Sequence, residues 1–94
     1  MNTWCAYIIR CADGSYYGGH THDLDRRLAC HISGQGPRYT ATRRPLQLDW
    51  HESQPDEISA RKREDQIKRW SHAKKEALIA GDISRLQRLS KSRT

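Results

Sequence analysis

Acidic side chains are scarce in this 94-residue chain: Asp and Glu total 11 against 17 Lys and Arg, a formal net charge of +6. With an isoelectric point of about 9.6, the chain suits a polyanionic partner, nucleic acid first and an anionic membrane surface second. Long apolar runs are missing too. No segment approaches the roughly 20 residues of a membrane-spanning helix, and the N-terminus has no basic stretch followed by an apolar one, as a secretory signal would. The expectation is a soluble, cytoplasmic protein. Cysteine is sparse: Cys5, Cys11 and Cys30 form an odd set without paired spacing. That argues against a disulfide framework and a structural zinc site, and leaves Cys5 and Cys11 as buried thiols. The chain also lacks a Gly-rich nucleotide loop, a His-x-x-x-His pair and an internal repeat. Its length suits one small domain with one modest core, with no room for separate catalytic and binding domains.

What the chain does contain begins with a hairpin. Trp4 to Cys11 and Ser15 to Gly19 read as strands joined by Ala12-Asp13-Gly14, because Asp-Gly accommodates the tight turn. Alternation puts Cys5, Tyr7 and Ile9 on one face and Ala6 and Ile8 on the other. The Gly18-Gly19 pair lets backbone or substrate approach closely, so Tyr7 and Tyr17 are candidates for a shared surface there, although either ring could be structural.

From Asp23 to about Ser33 the pattern is helical, with Asp23 or Thr21 as cap and Gly34 as stop. Leu24, Leu28 and Ile32 recur at four-residue steps and define the expected core stripe. Arg27 and His31 lie about 60° and 20° to one side of Leu24, so they project together along one edge of that face, while Arg26 points to solvent. Gly34 to Pro45 reads as a loop carrying Arg38, Tyr39, Thr40, Thr42, Arg43 and Arg44. Guanidinium groups around a ring and hydroxyls can hold phosphates while the ring stacks on a base, or the loop can simply be solvated. Leu46, Leu48 and Trp50 alternate with Gln47, Asp49 and His51, which predicts a third strand with one face on the core.

A second helix opens at Ser53 to Glu57 and runs to about Trp70. Within it Glu64 lies about 40 to 60° from Ala60 and Ile67 on the wheel, beside the apolar stripe. A carboxylate there costs desolvation unless it is paired or coordinated. It either binds an ion or pairs with Arg61, Arg63 or Lys68. Ser71 caps a further helix, His72 to Ala80, whose apolar side is Ala73, Ala77, Leu78 and Ala80 and whose Lys74 and Lys75 extend the basic character. Gly81-Asp82 interrupts the chain before a last short helix around Ile83, Leu86 and Leu89, and Ser90 to Thr94 reads as frayed. The fold class is α+β: a small three-stranded antiparallel sheet flanked by helices, in the order β-β-α-β-α-α. Two tyrosines, Arg27, His31 and Glu64 are the parts that phosphodiester hydrolysis requires: a base, cations for the phosphoryl oxygens and a carboxylate for a hard ion.

Cys5-Ala6-Tyr7 and Tyr17-Gly18-Gly19 resemble the two namesake tripeptides of the GIY-YIG nuclease domain. Asp23-Leu24-Asp25-Arg26-Arg27-Leu28 with His31, Arg38-Tyr39-Thr40, Arg43-Arg44-Pro45, Glu64 with Ile67-Lys68, and Lys74 to Leu78 are similar to its small stand-alone bacterial members, the UPF0213 group. The resemblance runs from Trp4 to about Ala80. It implies a nuclease domain over 1–81, followed by a short helix and basic tail over 82–94. By residue, it implies that Tyr7 activates water, Tyr17 is a second active-site tyrosine, Arg27 holds the scissile phosphate and His31 assists proton transfer or orients the phosphate. Glu64 would bind a single Mg2+ or Mn2+, and Arg38, Tyr39, Thr40, Arg43, Arg44 and Lys68 would contact nucleic acid. Cys5 and Gly18 depart from the family tripeptides, and the late asparagine of larger members has no match, since Asn2 is the only Asn. The implied function is metal-dependent DNA endonuclease, with DNA as partner and no small-molecule cofactor. The alternative is a non-catalytic nucleic-acid-binding module derived from a nuclease.

Overall fold

The structure, a computed structural model, describes residues 3–91. Strands β1 (Cys5–Arg10) and β2 (Tyr16–Thr21) form the hairpin, and β3 (Gln47–Ser53) joins the free side of β1, giving an antiparallel sheet of order β2-β1-β3. The turn forms as the Asp-Gly pair predicts. The Asp13 carboxylate accepts from the Ser15 amide at 3.0 Å, and Gly14 takes φ +85°. As the middle strand, β1 is covered on both faces, so Cys5 to Ile9 are all buried. Each fully buried isoleucine there contributes about 1.5–3 kcal/mol of transfer free energy. Strand β2 runs past the expected Gly19 to Thr21, which brings His20 into the ladder opposite Ala6.

Helix α1 (Leu24–Ser33) is capped by Asp23, which accepts from the Arg26 amide, and is stopped by Gly34 at φ +86°. Its buried face differs from the expected aliphatic stripe. Ile32 is 54% exposed, Leu24 and Leu28 are only half-buried, and the buried residue is His31. The stripe rotates because α1 meets the rings of Tyr7 and Tyr17 rather than an aliphatic surface. The expected loop after it contains one helical turn, α2 (Arg38–Ala41), tied to the hairpin by a bond from the Ala12 amide to the Arg43 carbonyl. Strand β3 departs from simple alternation. A register shift between Ile8 and Ile9 places Trp50 opposite Ile8 but Leu48 opposite Ile9. Asp49, expected on the polar face, has a side chain only 7% exposed and pairs with Arg10 at 3.4 Å.

Helix α3 (Glu57–Lys68), capped by Asp56, buries Ala60 and Ile67. Ile67 joins Ile8 and Leu78 in the core, with Tyr16, Trp50, Trp70, Ile79 and Leu86 packed around them. Helix α4 (His72–Ala80) is capped by Ser71 and stopped at Gly81. Ala80 is exposed instead of apolar-facing, Lys74 is buried with its ammonium 4.7 Å from the Trp70 ring centroid, and Lys75 is half-buried with its pKa lowered by desolvation, so neither lysine forms an exposed basic face. Helix α5 (Ile83–Lys91) continues through Ser90 and Lys91, expected to fray, and lays Leu86 on the core. Residues 92–94 of that expectation lie outside the described residues. Among the described residues no helix is long and apolar enough to cross a membrane.

Candidate active site

Strand register starts the site. Tyr7 pairs with Gly19, and a Cβ on Gly19 would sit 2.5 Å from Tyr7 Cζ, so only glycine lets this ring lie against β2. The phenol oxygen then reaches His31 Nε2 on α1 at 3.1 Å. On the far side of the imidazole, Nδ1 is 2.8 Å from Thr40 Oγ1, and Thr40 spends its own hydroxyl proton on the Pro37 carbonyl at 3.1 Å. Thr40 is therefore the acceptor towards His31. Its lone pair accepts the hydrogen bond from Nδ1–H, which leaves Nε2 unprotonated and accepting from the Tyr7 hydroxyl. Thr40, expected to contact nucleic acid, is instead fully buried, and its hydroxyl holds the histidine in one tautomer.

Burial, and secondarily the Arg27 guanidinium, push His31 down from 6.5 to about 4, so the ring is neutral at physiological pH. Tyr7 is pushed up by burial, which outweighs the opposing pull of Arg27; the charge of Glu64 adds to the rise. Tyr7 therefore keeps its proton in the free protein. Arg27, half-buried one turn before His31, is held protonated more firmly by its interaction with Tyr7. Tyr17 leans on the His31 ring at 5.4 Å between centroids and on Tyr39 at 5.9 Å. A groove lined by Thr21, His22, Asp23, Arg26, Arg27 and Cys30 opens beside the arginine.

Glu64 reaches the site from α3, across the thin Gly18-Gly19 edge of the sheet. Its side chain is 12% exposed and each oxygen has a partner: His20 Nδ1 donates to Oε1 at 2.6 Å, and Lys68 Nζ to Oε2 at 2.5 Å. Burial pushes the carboxyl up, but the bonds from Lys68 and His20 together outweigh it and hold the group below its ordinary range. Of Arg61, Arg63 and Lys68, the expected ion-pair partners of Glu64, Lys68 is the one in contact, and His20 is a partner that its sequence position does not announce. Only one signal pointed to it: alternation beyond Gly19 puts His20 on the Ala6 face, which α3 covers. Among the described residues no three His, Cys, Asp or Glu cluster as a metal cage. A single carboxylate that already holds a cation still fits a hard divalent ion whose remaining ligands are water and phosphate oxygens.

The basic segment around α2 is partly committed to the fold. Arg43 pairs with Asp13 at 3.1 Å, lies 3.8 Å over the Tyr39 ring and donates to the Tyr39 carbonyl. Arg44 is exposed and donates to the Ala41 carbonyl, while Arg38 and Tyr39 are exposed. Lys68, expected on nucleic acid, is on Glu64.

Comparison with known proteins identifies the family. Residues 3–77 match the model of the GIY-YIG catalytic domain. A UPF0213 protein of Bacillus pumilus is 44% identical over 73 residues, covering 78% of this chain and 74% of that protein. A UPF0213 protein of Halobacterium salinarum is 47% identical over 73 residues, covering 78% of this chain and 95% of that protein. The solution structure of a UPF0213 protein from Bacillus halodurans superposes with a TM-score of 0.54 at 40% identity, covering 83% of each chain. That of an E. faecalis protein superposes with a TM-score of 0.60 at 35% identity, covering 86% of each. With its hairpin tyrosines, arginine helix and glutamate helix assembled in this order, the chain belongs to the GIY-YIG domain family and is similar throughout that domain to its UPF0213 proteins.

Proposed function

We propose that this protein is an endonuclease that hydrolyses DNA phosphodiester bonds. The observation that carries the reading is the directed chain from the Tyr7 hydroxyl to His31 Nε2, with Nδ1 fixed on Thr40 and the Arg27 guanidinium beside the phenol. A phenol above its ordinary pKa is a poor base alone. Paired with a neutral imidazole it can relay: the attacking water gives its proton to Tyr7 Oη as the phenolic proton passes to His31 Nε2. Water oxygen forms the new bond to phosphorus, the ester P–O bond breaks, and the departing oxygen takes a proton from solvent. Arg27 offers a planar set of donors to the non-bridging oxygens, where negative charge builds. Tyr39 and the exposed Arg38 and Arg44 extend this cationic surface along the nucleic acid.

Glu64 would hold one Mg2+ or Mn2+, with water and substrate phosphate as the other ligands. Such an ion, when bound, polarises the phosphodiester and stabilises charge on its oxygens. Glu64→Gln keeps size and helix propensity while removing the charge. The expected result is a folded protein that binds DNA at least as well as the parent, with Mg2+- or Mn2+-dependent cleavage lowered by roughly 10²-fold or more. Thermal unfolding and cleavage measured on one preparation check this. Parental activity with lowered stability would make Glu64 a salt-bridge residue only. DNA binding without cleavage by the parent, with either ion, would favour the non-catalytic module.

A further inference from the structure

The Lys68 side chain spans one helical turn of α3 to reach the Glu64 carboxylate, the i,i+4 arrangement that favours such pairs. The two partners differ in freedom. Glu64 is 12% exposed and held from its other side by His20, whereas Lys68 is 50% exposed and can swing out. The Lys68 stem also runs beside the edge strand: a Cβ on Gly18 would lie 3.9 Å from its Cγ. Tyr17, which leans on the His31 ring, precedes Gly18 on the same strand. The ammonium thus occupies one oxygen of the carboxylate, Oε2, while the lysine side chain itself is half exposed. An ion arriving at Oε2 finds a cation already there.

We propose that Lys68 is an internal counterion that occupies the divalent-ion position on Glu64 in the free protein, is displaced when the ion binds, and is passed to a phosphate of the nucleic acid. This rests on the reading of Glu64 as the metal-holding carboxylate. Both exchanges conserve pairing: the carboxylate trades an ammonium for the metal ion, and the ammonium trades a carboxylate for a phosphate. Ion loading without nucleic acid is then weak, because the lysine competes. Loading with nucleic acid is favoured, because the released ammonium has a new partner.

The test measures Mn2+ affinity of the protein without nucleic acid, by the loss of the free-ion electron paramagnetic resonance signal. The variants are Lys68→Met, Lys68→Arg, Glu64→Gln and, as a nearby exposed cation outside the site, Lys62→Met. Lys68→Met should bind Mn2+ about tenfold more tightly than the parent, the order expected from removing one charge-assisted competitor. Lys68→Arg keeps the charge and should give no tightening, and Lys62→Met should change affinity by less than about twofold, as screened surface charges do. Circular dichroism checks folding, and Lys68→Gln replaces Lys68→Met if the latter does not fold. Equal affinity in Lys68→Met and the parent, with Glu64→Gln binding less, overturns the displacement while leaving Glu64 as the ligand. Equal tightening in Lys62→Met and Lys68→Met also overturns it, since the effect is then general charge. If Glu64→Gln binds Mn2+ as tightly as the parent, the metal role of Glu64 itself fails.

Discussion

His31 should make the protein sensitive to mild acid. Its ring is fully buried, accepts at Nε2 and donates at Nδ1, so a second ring proton in the resting protein would need the Tyr7 hydroxyl to turn from donor to acceptor and would sit beside Arg27. The group falls from 6.5 in the unfolded chain to about 4 in the folded one. Below the upper value the unfolded chain takes up a proton that the folded chain refuses, so the unfolded state binds more protons and stability falls as the pH is lowered. The loss begins near pH 6.5, grows down to about pH 4 and then levels off. At about 1.4 kcal/mol per pH unit the full effect is about 3 kcal/mol, a large share of the roughly 5–15 kcal/mol that holds a domain together. Ring carbon and nitrogen shifts of His31, followed by NMR from pH 8 to 3.5, should show a neutral Nδ1–H tautomer until near pH 4. Urea unfolding at pH 7 and pH 4.5 should show a larger loss for the parent than for His31→Gln. Comparing the two cancels Asp13, Asp56 and Glu64, whose depressed carboxyls also lose stability in acid. A ring that titrates near 6.5, or that carries its proton on Nε2, would refute the relay and its direction.

Three further outcomes follow from named contacts. Gly19→Ala drives a methyl into the Tyr7 ring, so it should cost about 1–3 kcal/mol in urea unfolding and suppress cleavage by moving the phenol off His31; the stability cost should shrink in a Tyr7→Leu background, and parental stability with parental activity would remove the packing argument. Arg27→Lys loses the planar fork and should slow single-turnover cleavage about tenfold, with Arg27→Ala lower by roughly 10²–10³-fold; an unchanged rate in the alanine variant ends its assignment to the phosphate. Replacing Arg38, Arg43 and Arg44 together by Ala should weaken DNA binding and flatten its salt dependence, at about 0.9 log units of slope per lost duplex phosphate contact. Because Arg43 also pairs with Asp13 and covers Tyr39, folding is checked alongside, and unchanged affinity and slope in a folded triple variant would return this segment to ordinary solvated surface.

Much of the site was legible because its parts recur at distances that local geometry determines. Arg27 and His31 are four apart on α1, Glu64 lies beside Ala60 and Ile67 on α3, and an Asp-Gly turn brings Tyr7 and Gly19 together as cross-strand partners. Rise and twist per residue settle which side chains share a face, whatever packs against them. What covers that face was not legible. The Leu24, Leu28 and Ile32 stripe was the natural choice by hydrophobicity, yet His31 is the buried residue because the opposing surface consists of tyrosine rings and a threonine hydroxyl. Asp49 left its expected face because a bulge in β3 shifts the register, which no alternation pattern reveals. The decisive contacts join residues far apart in the chain: Tyr7 to His31 across 24 positions and His20 to Glu64 across 44. Composition, periodicity and turn chemistry determined the elements, the basic character and the reactive groups on each helix. Tertiary structure alone decided the tautomer of His31, the role of Thr40 and the cation on Glu64, because hydrogen-bond direction and ion pairing depend on what the folded chain brings within about 3 Å.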